Sequence, residues 1–291
     1  MLLESVPNFS EGRDRATIDT IGDALGSRAR LLDVHSDPDH NRSVFTLAGE
    51  PDELLEALVA GIEVARERID LRSHEGVHPR LGAADVVPVV PLVAGAMERA
   101  KETALRLAER VGGLGLPVFL YGEELAPGRG PAFFRWGGVE GLAERMAGGE
   151  LAPDFGPGEL DPSTGTVLVG ARRPLVAFNV NLRGSLEHAR AIAGVVRESG
   201  GGFQGVRALG LELPSMGLVQ VSMNVEDVEA AALHVIVARI EHEAAERGME
   251  LVGSELVGLM PASAVAAAAG DALRLEGFDS SRVLELRLLE R

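Results

Sequence analysis

The densest group of chemically active side chains in this chain lies in one short segment. Two histidines stand four positions apart there, with an acid after the first and an arginine soon after the second. On one face of a helix this spacing would bind zinc, with the acid beside a metal-bound water. The internal glycine and the proline after the second histidine predict a loop, so a zinc peptidase stays only as an alternative. The segment reads His74-Glu75-Gly76-Val77-His78-Pro79-Arg80-Leu81-Gly82.

His78 is the candidate catalytic residue of this segment. An imidazole titrates near neutral pH, so it can accept a proton in one step and return it in the next. Pro79 restricts the backbone of His78, and the nearby Arg80 supplies a cation for an anionic group. Spacing alone is equally compatible with an ordinary surface histidine, so this assignment depends on further observations.

A second group of polar side chains lies on two predicted strands in the second half. The segments Ala177–Leu182 and Val219–Asn224 alternate apolar and polar residues, as strands with one buried face do. Neutral amides on the other face indicate directional hydrogen bonding, either to a ligand in a cleft between two sheets or to the other half. These polar residues are Asn179, Asn181, Gln220, Ser222 and Asn224.

The elements that must position these residues recur in the same order in both halves. Periodicity predicts β-α-β-β-α-β twice, with an extra helix and strand after the first set and a long first-half helix over 51–68. In such a half the first and third strands lie side by side at the sheet centre, and both helices cover one face. The predicted fold class is α+β, with two ferredoxin-like (βαββαβ) α/β sandwich subdomains and a cleft between them.

The domain boundary is predicted in a stretch rich in glycine and proline. Residues 122–165 contain many of both and carry little periodic apolar pattern beyond one short helical segment. The prediction is therefore an N-terminal subdomain over residues 1–165 and a C-terminal subdomain over residues 166–291.

The formal charge of −16 and the absence of cysteine limit the classes of partner and site. Nucleic acid and acidic membrane surfaces would meet a repulsive field, and neither a thiolate nor a disulfide can form. Small-molecule substrates stay compatible, including anionic ones held by a local cluster of arginines. The first residues lack a basic and apolar signal segment, and no apolar run is long enough to cross a bilayer. We therefore expect a cytoplasmic protein.

Ordered motifs along nearly the whole chain resemble the formiminotransferase family, whose animal members form the front part of formiminotransferase-cyclodeaminase. The first motifs are Val6-Pro7-Asn8-Phe9-Ser10-Glu11-Gly12, Leu32-Asp33-Val34, Asn41-Arg42, Ile69-Asp70 and the segment from His74 to Asp85. The later ones are Leu120-Tyr121-Gly122, Pro153-Asp154-Phe155-Gly156-Pro157, Gly170-Ala171-Arg172, Ala177-Phe178-Asn179-x-Asn181-Leu182, Gln220-Val221-Ser222-x-Asn224, Ala232-Leu233-His234 and the segment from Val252 to Leu259.

The resemblance implies transfer of a formimino group from N-formimino-L-glutamate to tetrahydrofolate. The products are 5-formiminotetrahydrofolate and L-glutamate, in histidine degradation and one-carbon metabolism. Tetrahydrofolate is then a co-substrate, and no metal is required. The family's catalytic histidine corresponds to His78, acting as general acid/base. The resemblance also suggests a homodimer and leaves room for a separate cyclodeaminase that takes the product.

The resemblance also assigns binding residues. The family's folate segment corresponds to a stretch that the residues alone favour as a linker: Pro153, Asp154, Phe155, Gly156, Pro157, Gly158, Glu159, Leu160, Asp161 and Pro162. Because both ligands carry carboxylates, arginines should anchor them. The expected substrate-binding residues are Asn8, Arg42, Arg80, Asn179, Asn181, Gln220, Ser222 and Asn224.

Two departures from the animal sequences keep alternatives open. His35 stands where animal relatives have an acidic residue, and the connection Gly200–Gly205 is shorter than its animal counterpart. A relative with a changed donor or acceptor is one alternative. A non-catalytic folate-binding module on the same scaffold is another.

Overall fold

A computed structural model of the chain describes residues 1–93 and 95–289 and divides into two units, Met1–Arg173 and Pro174–Arg291. Each unit combines helices with one β-sheet, so the chain has mixed α and β structure with two sheets. Among the helices of the described residues, none has the length and apolar character needed to span a membrane.

The first unit is built on a seven-stranded sheet. Its strands are β1 (Leu3–Ser5), β2 (Asn8–Phe9), β3 (Arg30–Asp37), β4 (Arg42–Gly49), β5 (Ala84–Pro91), β6 (Val118–Tyr121) and β7 (Val167–Ala171). Its helices over the described residues are α1 (Arg15–Gly26), α2 (Pro51–Arg68), α3 (Met97–Gly113), α4 (Pro131–Arg135) and α5 (Gly138–Ala147).

One position near the middle of this sheet is shared by β1 and β2. Both strands pair antiparallel with β4 on one side and with β5 on the other. Pro7 interrupts them because proline has no N–H for the ladder, although its carbonyl accepts from the Phe45 N–H at 3.1 Å. Across the sheet the order is β3, β4, β1 with β2, β5, β7 and β6.

The main core of the first unit lies between the sheet and α1, α2 and α3. Ile21, Leu58 and Leu107 from the three helices are fully buried with Phe45 and Val89 from the sheet. The helix α2 has the predicted bounds, because proline is favoured in the first turn and the acids there complement the helix dipole.

The strand β7 was not predicted, and it moves the boundary between the units. It lies between β5 and β6 and pairs in parallel with both. The division consequently falls between Arg173 and Pro174 rather than between residues 165 and 166.

The helices of the first unit cover both faces of its sheet at the β7 edge. Along β7, Val167 and Val169 join the main core, whereas Leu168 joins a second cluster with Phe119 and Phe134. Phe134 belongs to α4, so α4 packs on the opposite side from α1, α2 and α3. The two helices of the predicted β-α-β-β-α-β set, α1 and α2, lie together in the main core, and α4, which is outside that set, covers the other face.

The second unit is built on a four-stranded antiparallel sheet. Its elements over the described residues are β8 (Val176–Arg183), α6 (Leu186–Val196), β9 (Val206–Leu213), β10 (Leu218–Val225), α7 (Leu233–Glu246), β11 (Glu250–Val257), α8 (Ala262–Ala272) and α9 (Leu284–Leu289). Across the sheet the order is β11-β8-β10-β9, so the first and third strands of the unit lie side by side at the centre.

The core of the second unit lies between α6, α7 and one face of the sheet. Val180 and Val221 alternate with polar neighbours on the central strands, and they pack with Ile192 and Ile236 from the helices. Because side chains alternate along a strand, the polar neighbours all lie on the other face.

Candidate active site

Three segments of the first unit meet around the side chain of Asn41, at the end of the turn between β3 and β4. The Asn41 carboxamide accepts from the Gly12 N–H at 2.9 Å and donates to the Glu75 carbonyl at 2.8 Å. The Val77 N–H donates to the Asp39 carbonyl at 3.1 Å. Asn41 has a positive φ of 46°, a conformation that asparagine tolerates better than most residues. The turn therefore fixes the position of the histidine segment.

The histidine segment is a loop, as Gly76 and Pro79 predict. After a short 3-10 turn over Leu71–Ser73, residues 74–80 form no helix. The loop passes so close to the turn that a Cβ on Gly76 would collide with the His40 carbonyl oxygen. The helical geometry that a zinc peptidase requires is absent from this segment.

The two histidines of the loop each face a guanidinium group. Nδ1 of His74 contacts Arg80, and Nε2 of His78 lies 2.8 Å from Nη1 of Arg42. A guanidinium only donates hydrogen bonds, so both imidazole nitrogens act as acceptors there. A metal ion at either nitrogen would meet a like charge, which further disfavours the zinc alternative.

The hydrogen bonds of His78 define its tautomer. Its Nδ1 lies 2.8 Å from the Pro79 carbonyl, which can only accept, so Nδ1 carries the proton. Its Nε2 lone pair accepts from Arg42. The ring stacks on His40, with the two ring centroids 5.8 Å apart and the planes inclined by 23°. The half-buried His78 is therefore a neutral imidazole with its basic nitrogen turned to Arg42.

Burial and neighbouring charges keep His78 neutral. Burial lowers the pKa of His78 well below its ordinary value of 6.5, and the charges of Arg42, Arg135 and His40 lower the pKa further. The hydrogen bond to the Pro79 carbonyl acts in the opposite direction, because it stabilises the protonated ring.

Arg80 holds the backbone of the loop. Its guanidinium donates to the His78 carbonyl at 2.7 Å and to the His40 carbonyl at 3.3 Å, and it contacts Nδ1 of His74. Burial and the charge of Arg80 lower the pKa of His74 to about 4. Within the described part of the chain, Arg80 thus donates its hydrogen bonds to neutral groups.

An ion pair lies beneath the histidine loop. Asp85, at the start of β5, is buried, accepts from the Leu81 N–H at 2.7 Å and pairs with Arg135 at the end of α4. Burial lowers the pKa of Arg42 to about 10, the charges of Arg135 and Arg80 lower it, and the charges of Asp85 and Asp37 raise it. Arg42 is still a cation at neutral pH.

A small pocket lies among these groups, and it leaves no room even for a water molecule. A substrate can therefore enter it only if a lining side chain moves. Its lining residues are Ser10, His40, Asn41, Arg42, His78, Arg80 and Asp85. The predicted residues Arg42, His78 and Arg80 thus lie together.

Asn8 lies outside this pocket lining. It is half-buried on β2, and its carboxamide donates to the Val6 carbonyl at 3.0 Å. The contact spans the interruption between β1 and β2, so the observed role of Asn8 is local.

The segment Pro153–Pro162 belongs to the first unit and is held to β6. The Asp154 carboxylate accepts from the Leu120 N–H at 2.7 Å and pairs with Arg129 at 3.0 Å. Phe155 packs against the main core, whereas residues 156–159 are exposed. The segment therefore presents an exposed stretch on a fixed support, and none of it lines the His78 pocket.

The predicted polar residues of the second unit share one face of its sheet. Gln220 lies opposite Asn181 and Ser222 opposite Asn179, so each pair points to the same side. Gln220 and Asn179 are buried, and both donate to the carboxylate of Glu255 on β11, at 3.3 and 3.0 Å. Gln220 also donates to Asn181 at 2.9 Å. This face thus has a carboxylate at the centre of an amide network. The fifth predicted residue, Asn224, is exposed.

Two family models match the chain. One, described as the formiminotransferase domain, N-terminal subdomain, matches residues 2–172, and the other, described as the formiminotransferase domain, matches residues 177–277. The chain belongs to the formiminotransferase family. The two matched regions separate where the two units do.

Relatives in this formiminotransferase family align with most of the chain. A protein named glutamate formimidoyltransferase from Streptococcus pyogenes serotype M1 is 40% identical, over 99% of this chain and 99% of the relative. A protein of the same name from Thermoplasma acidophilum is also 40% identical, over 99% of this chain and 97% of its own length. A Rattus norvegicus protein named formimidoyltransferase-cyclodeaminase is 41% identical over 92% of this chain and 52% of its own length.

Three charged groups of this formiminotransferase were missing from the predicted site. Asp85 stands in the family motif without an assigned role, and Arg135 lies in the stretch that was interpreted as a boundary. Glu255 could have been found, because it lies opposite Asn179 and an acid on the polar face of a predicted strand is a visible signal. No local pattern connects Arg135 with Asp85, fifty positions apart in sequence.

We expect the free energy of unfolding to decrease between pH 7 and pH 5. The pKa of His74 is about 4 in the folded state, against an ordinary value of 6.5 in the unfolded chain, so the unfolded state binds more protons in this window. The expected loss is roughly 1–2 kcal/mol at pH 5, allowing for partial exposure, and His78 acts in the same direction. Urea unfolding at each pH measures it. His74→Gln should reduce the pH dependence and exposed His242→Gln should not; equal slopes would contradict the assignment.

Proposed function

We propose that this chain transfers the formimino group of N-formimino-L-glutamate to tetrahydrofolate, with His78 as general acid/base. The observation that supports this proposal most directly is the tautomer of His78. Its Nδ1–H donates to the Pro79 carbonyl, and its Nε2 carries the basic lone pair. The names of the two full-length relatives, which describe glutamate formimidoyltransferases, support the same reaction. Tetrahydrofolate is the co-substrate in this proposal.

The reaction needs one group that handles protons in two directions. N5 of tetrahydrofolate attacks the amidine carbon and must lose a proton, after which the C–N bond to glutamate breaks and the departing nitrogen must gain one. Nε2 of His78 can accept the first proton and donate it in the second step. The Pro79 carbonyl stabilises the imidazolium that forms in between, because it accepts from Nδ1–H.

Arg42 and Arg80 are the proposed anchors for substrate carboxylates. Over the described residues, the hydrogen-bond partners of these two guanidinium groups are imidazole nitrogens and backbone carbonyls, which are neutral acceptors. Hydrogen bonds from arginine to a carboxylate are charge-assisted and stronger than those to neutral acceptors. A local cluster of cations also explains how a chain with a formal charge of −16 can attract anionic substrates.

Further contacts to the ligands are proposed from the resemblance. The exposed part of the segment Pro153–Pro162 would contact the folate, and Asn8 is a proposed substrate-binding residue of the first unit. The proposed substrate-binding residues of the second unit are those of its polar face: Asn179, Asn181, Gln220, Ser222 and Asn224. We also propose the ferredoxin-like description for both units, supported by the β-α-β-β-α-β element order and the strand order β11-β8-β10-β9.

A homodimer in the cytoplasm is part of the same proposal. A separate cyclodeaminase would then take the 5-formiminotetrahydrofolate product. The name of the Rattus norvegicus relative, which includes a cyclodeaminase, supports this partner.

Transfer is tested with the purified protein, N-formimino-L-glutamate and tetrahydrofolate. We expect L-glutamate release only when both substrates are present, together with a folate product heavier by the formimino group in mass spectrometry. Calorimetry with folinate provides the second arm. Folinate binding without any transfer would reject the enzyme and leave the non-catalytic folate-binding module.

A further inference from the structure

The hydrogen bond between Arg42 and His78 blocks the atom that the proposed reaction needs. A neutral imidazole has a single basic nitrogen, and in His78 that nitrogen is Nε2. Its lone pair already accepts from Nη1 of Arg42 at 2.8 Å. A substrate proton cannot be transferred to Nε2 while this contact stands. The contact must therefore break before His78 can act as a base.

We propose that a substrate carboxylate removes Arg42 from His78 and thereby uncovers the base, so that Arg42 couples substrate binding to catalysis. This inference rests on the proposed function, because it assigns the trigger to the carboxylates of the transfer substrates. It assigns Arg42 a positioning role in addition to anchoring.

Arg42 gains a stronger hydrogen-bond acceptor when it exchanges the His78 imidazole for a substrate carboxylate. Arg42 now donates to a neutral imidazole, and a carboxylate would give it a charge-assisted and bidentate partner. The guanidinium stays charged throughout, since its pKa is about 10. Departure of Arg42 also removes one of the positive charges that hold His78 neutral. The base thus becomes stronger when the substrate arrives.

The size of the pocket supports the same exchange. Arg42 and His78 both line the small pocket, which leaves no room even for a water molecule, and Nη1 of Arg42 lies 2.8 Å from Nε2 of His78 there. A movement of Arg42 toward a carboxylate opens this space for the amidine carbon. Without that movement, a substrate cannot reach Nε2.

The other charged groups around His78 favour an anion as the trigger. Arg135 lies on α4, Arg80 in the loop and His40 in the turn; Arg135 and His40 lower the pKa of His78, and Arg80 lowers that of Arg42. The acids that act on Arg42 are Asp85 on β5, which is paired with Arg135, and Asp37 on β3, whose carboxylate accepts from the N–H groups of the turn. Positive charge therefore exceeds negative charge beside Nε2.

The test is the pKa of His78, measured by NMR on protein labelled with ¹⁵N-histidine. The probe is N-formyl-L-glutamate, which keeps both carboxylates of the donor but carries a stable carbonyl. We expect it to raise the pKa of His78 by about one unit or more, the size typical of losing a neighbouring like charge. The diamide of the same compound, which has no carboxylate, should leave the pKa unchanged.

Variants test whether Arg42, and no other group, causes the rise in the pKa of His78. Arg42→Gln should raise the pKa of His78 without any ligand, and N-formyl-L-glutamate should then raise it no further. Arg15→Gln, at an exposed arginine that pairs with Asp19, is the matched control and should behave like the wild type.

The outcomes are decisive in either direction. An unchanged pKa of His78 in the wild type with saturating N-formyl-L-glutamate would overturn the proposal, even if Arg42→Gln fails to fold. An equal rise with the diamide would also overturn it. Because the measurement needs no turnover, absence of formimino transfer with a normal pKa rise would reject the proposed function alone.

Discussion

His78→Ala is expected to lower kcat for formimino transfer by roughly 10²–10⁴-fold, the usual contribution of a positioned general acid/base. The folded structure should persist, because the imidazole of His78 makes two hydrogen bonds to the described residues, one to Arg42 and one to the adjacent Pro79. KM for N-formimino-L-glutamate should not rise, since the variant leaves Arg42 without its imidazole partner and able to bind a carboxylate. Steady-state kinetics of L-glutamate release measures both constants.

The matched control for this experiment is His242→Ala. His242 lies on α7 of the second unit, is largely exposed and faces Glu246. Its replacement should change kcat by less than about twofold, in line with a surface substitution. A His78→Ala enzyme that turns over at a comparable rate would contradict the assignment of the acid/base. Partial recovery of His78→Ala by added imidazole would strengthen it.

Asp85→Ala is expected to lower the free energy of unfolding by about 3–5 kcal/mol, the typical result of removing one partner of a buried ion pair. The variant leaves the largely buried Arg135 without its carboxylate and the Leu81 N–H without its acceptor. Urea unfolding at pH 7, followed by circular dichroism, measures the change.

An exposed ion pair of the same unit provides the comparison for Asp85. Asp52 on α2 pairs with Arg106 at 2.8 Å, and its carboxylate is 81% exposed. Asp52→Ala should cost less than about 1 kcal/mol, because solvent screens exposed pairs. Equal losses in the free energy of unfolding for Asp85→Ala and Asp52→Ala would mean that the buried pair stabilises the protein no more than the exposed pair does.

Local sequence signals predicted the parts of the fold that depend on neighbouring residues. The acids after Pro51 predicted the start of α2, and Gly76 with Pro79 predicted a loop at the histidines. The alternation along β8 and β10 predicted which polar side chains share a face, because the two-residue period of a strand is a local property. The catalytic candidate was identified from motif resemblance together with this loop, and its role stays a prediction.

Features that depend on distant pairing could not be predicted from the sequence. β7 is only five residues long and apolar throughout, so its pattern carries no alternation to identify a face or a partner. The contact of Arg135 with Asp85 needs α4 to pack beside β5, and nothing near either residue encodes that approach. The Arg42–His78 contact likewise arises only where the turn and the loop meet.

The position of β7 has a consequence for synthesis of the protein on the ribosome. β5 and β6 are translated early, but each finds its parallel neighbour only in a strand that ends at Ala171. Until that residue leaves the exit tunnel, two nascent strand edges stay without partners and are open to wrong pairing with other chains. Slow decoding shortly after Ala171 would give the first sheet time to close before the second unit emerges.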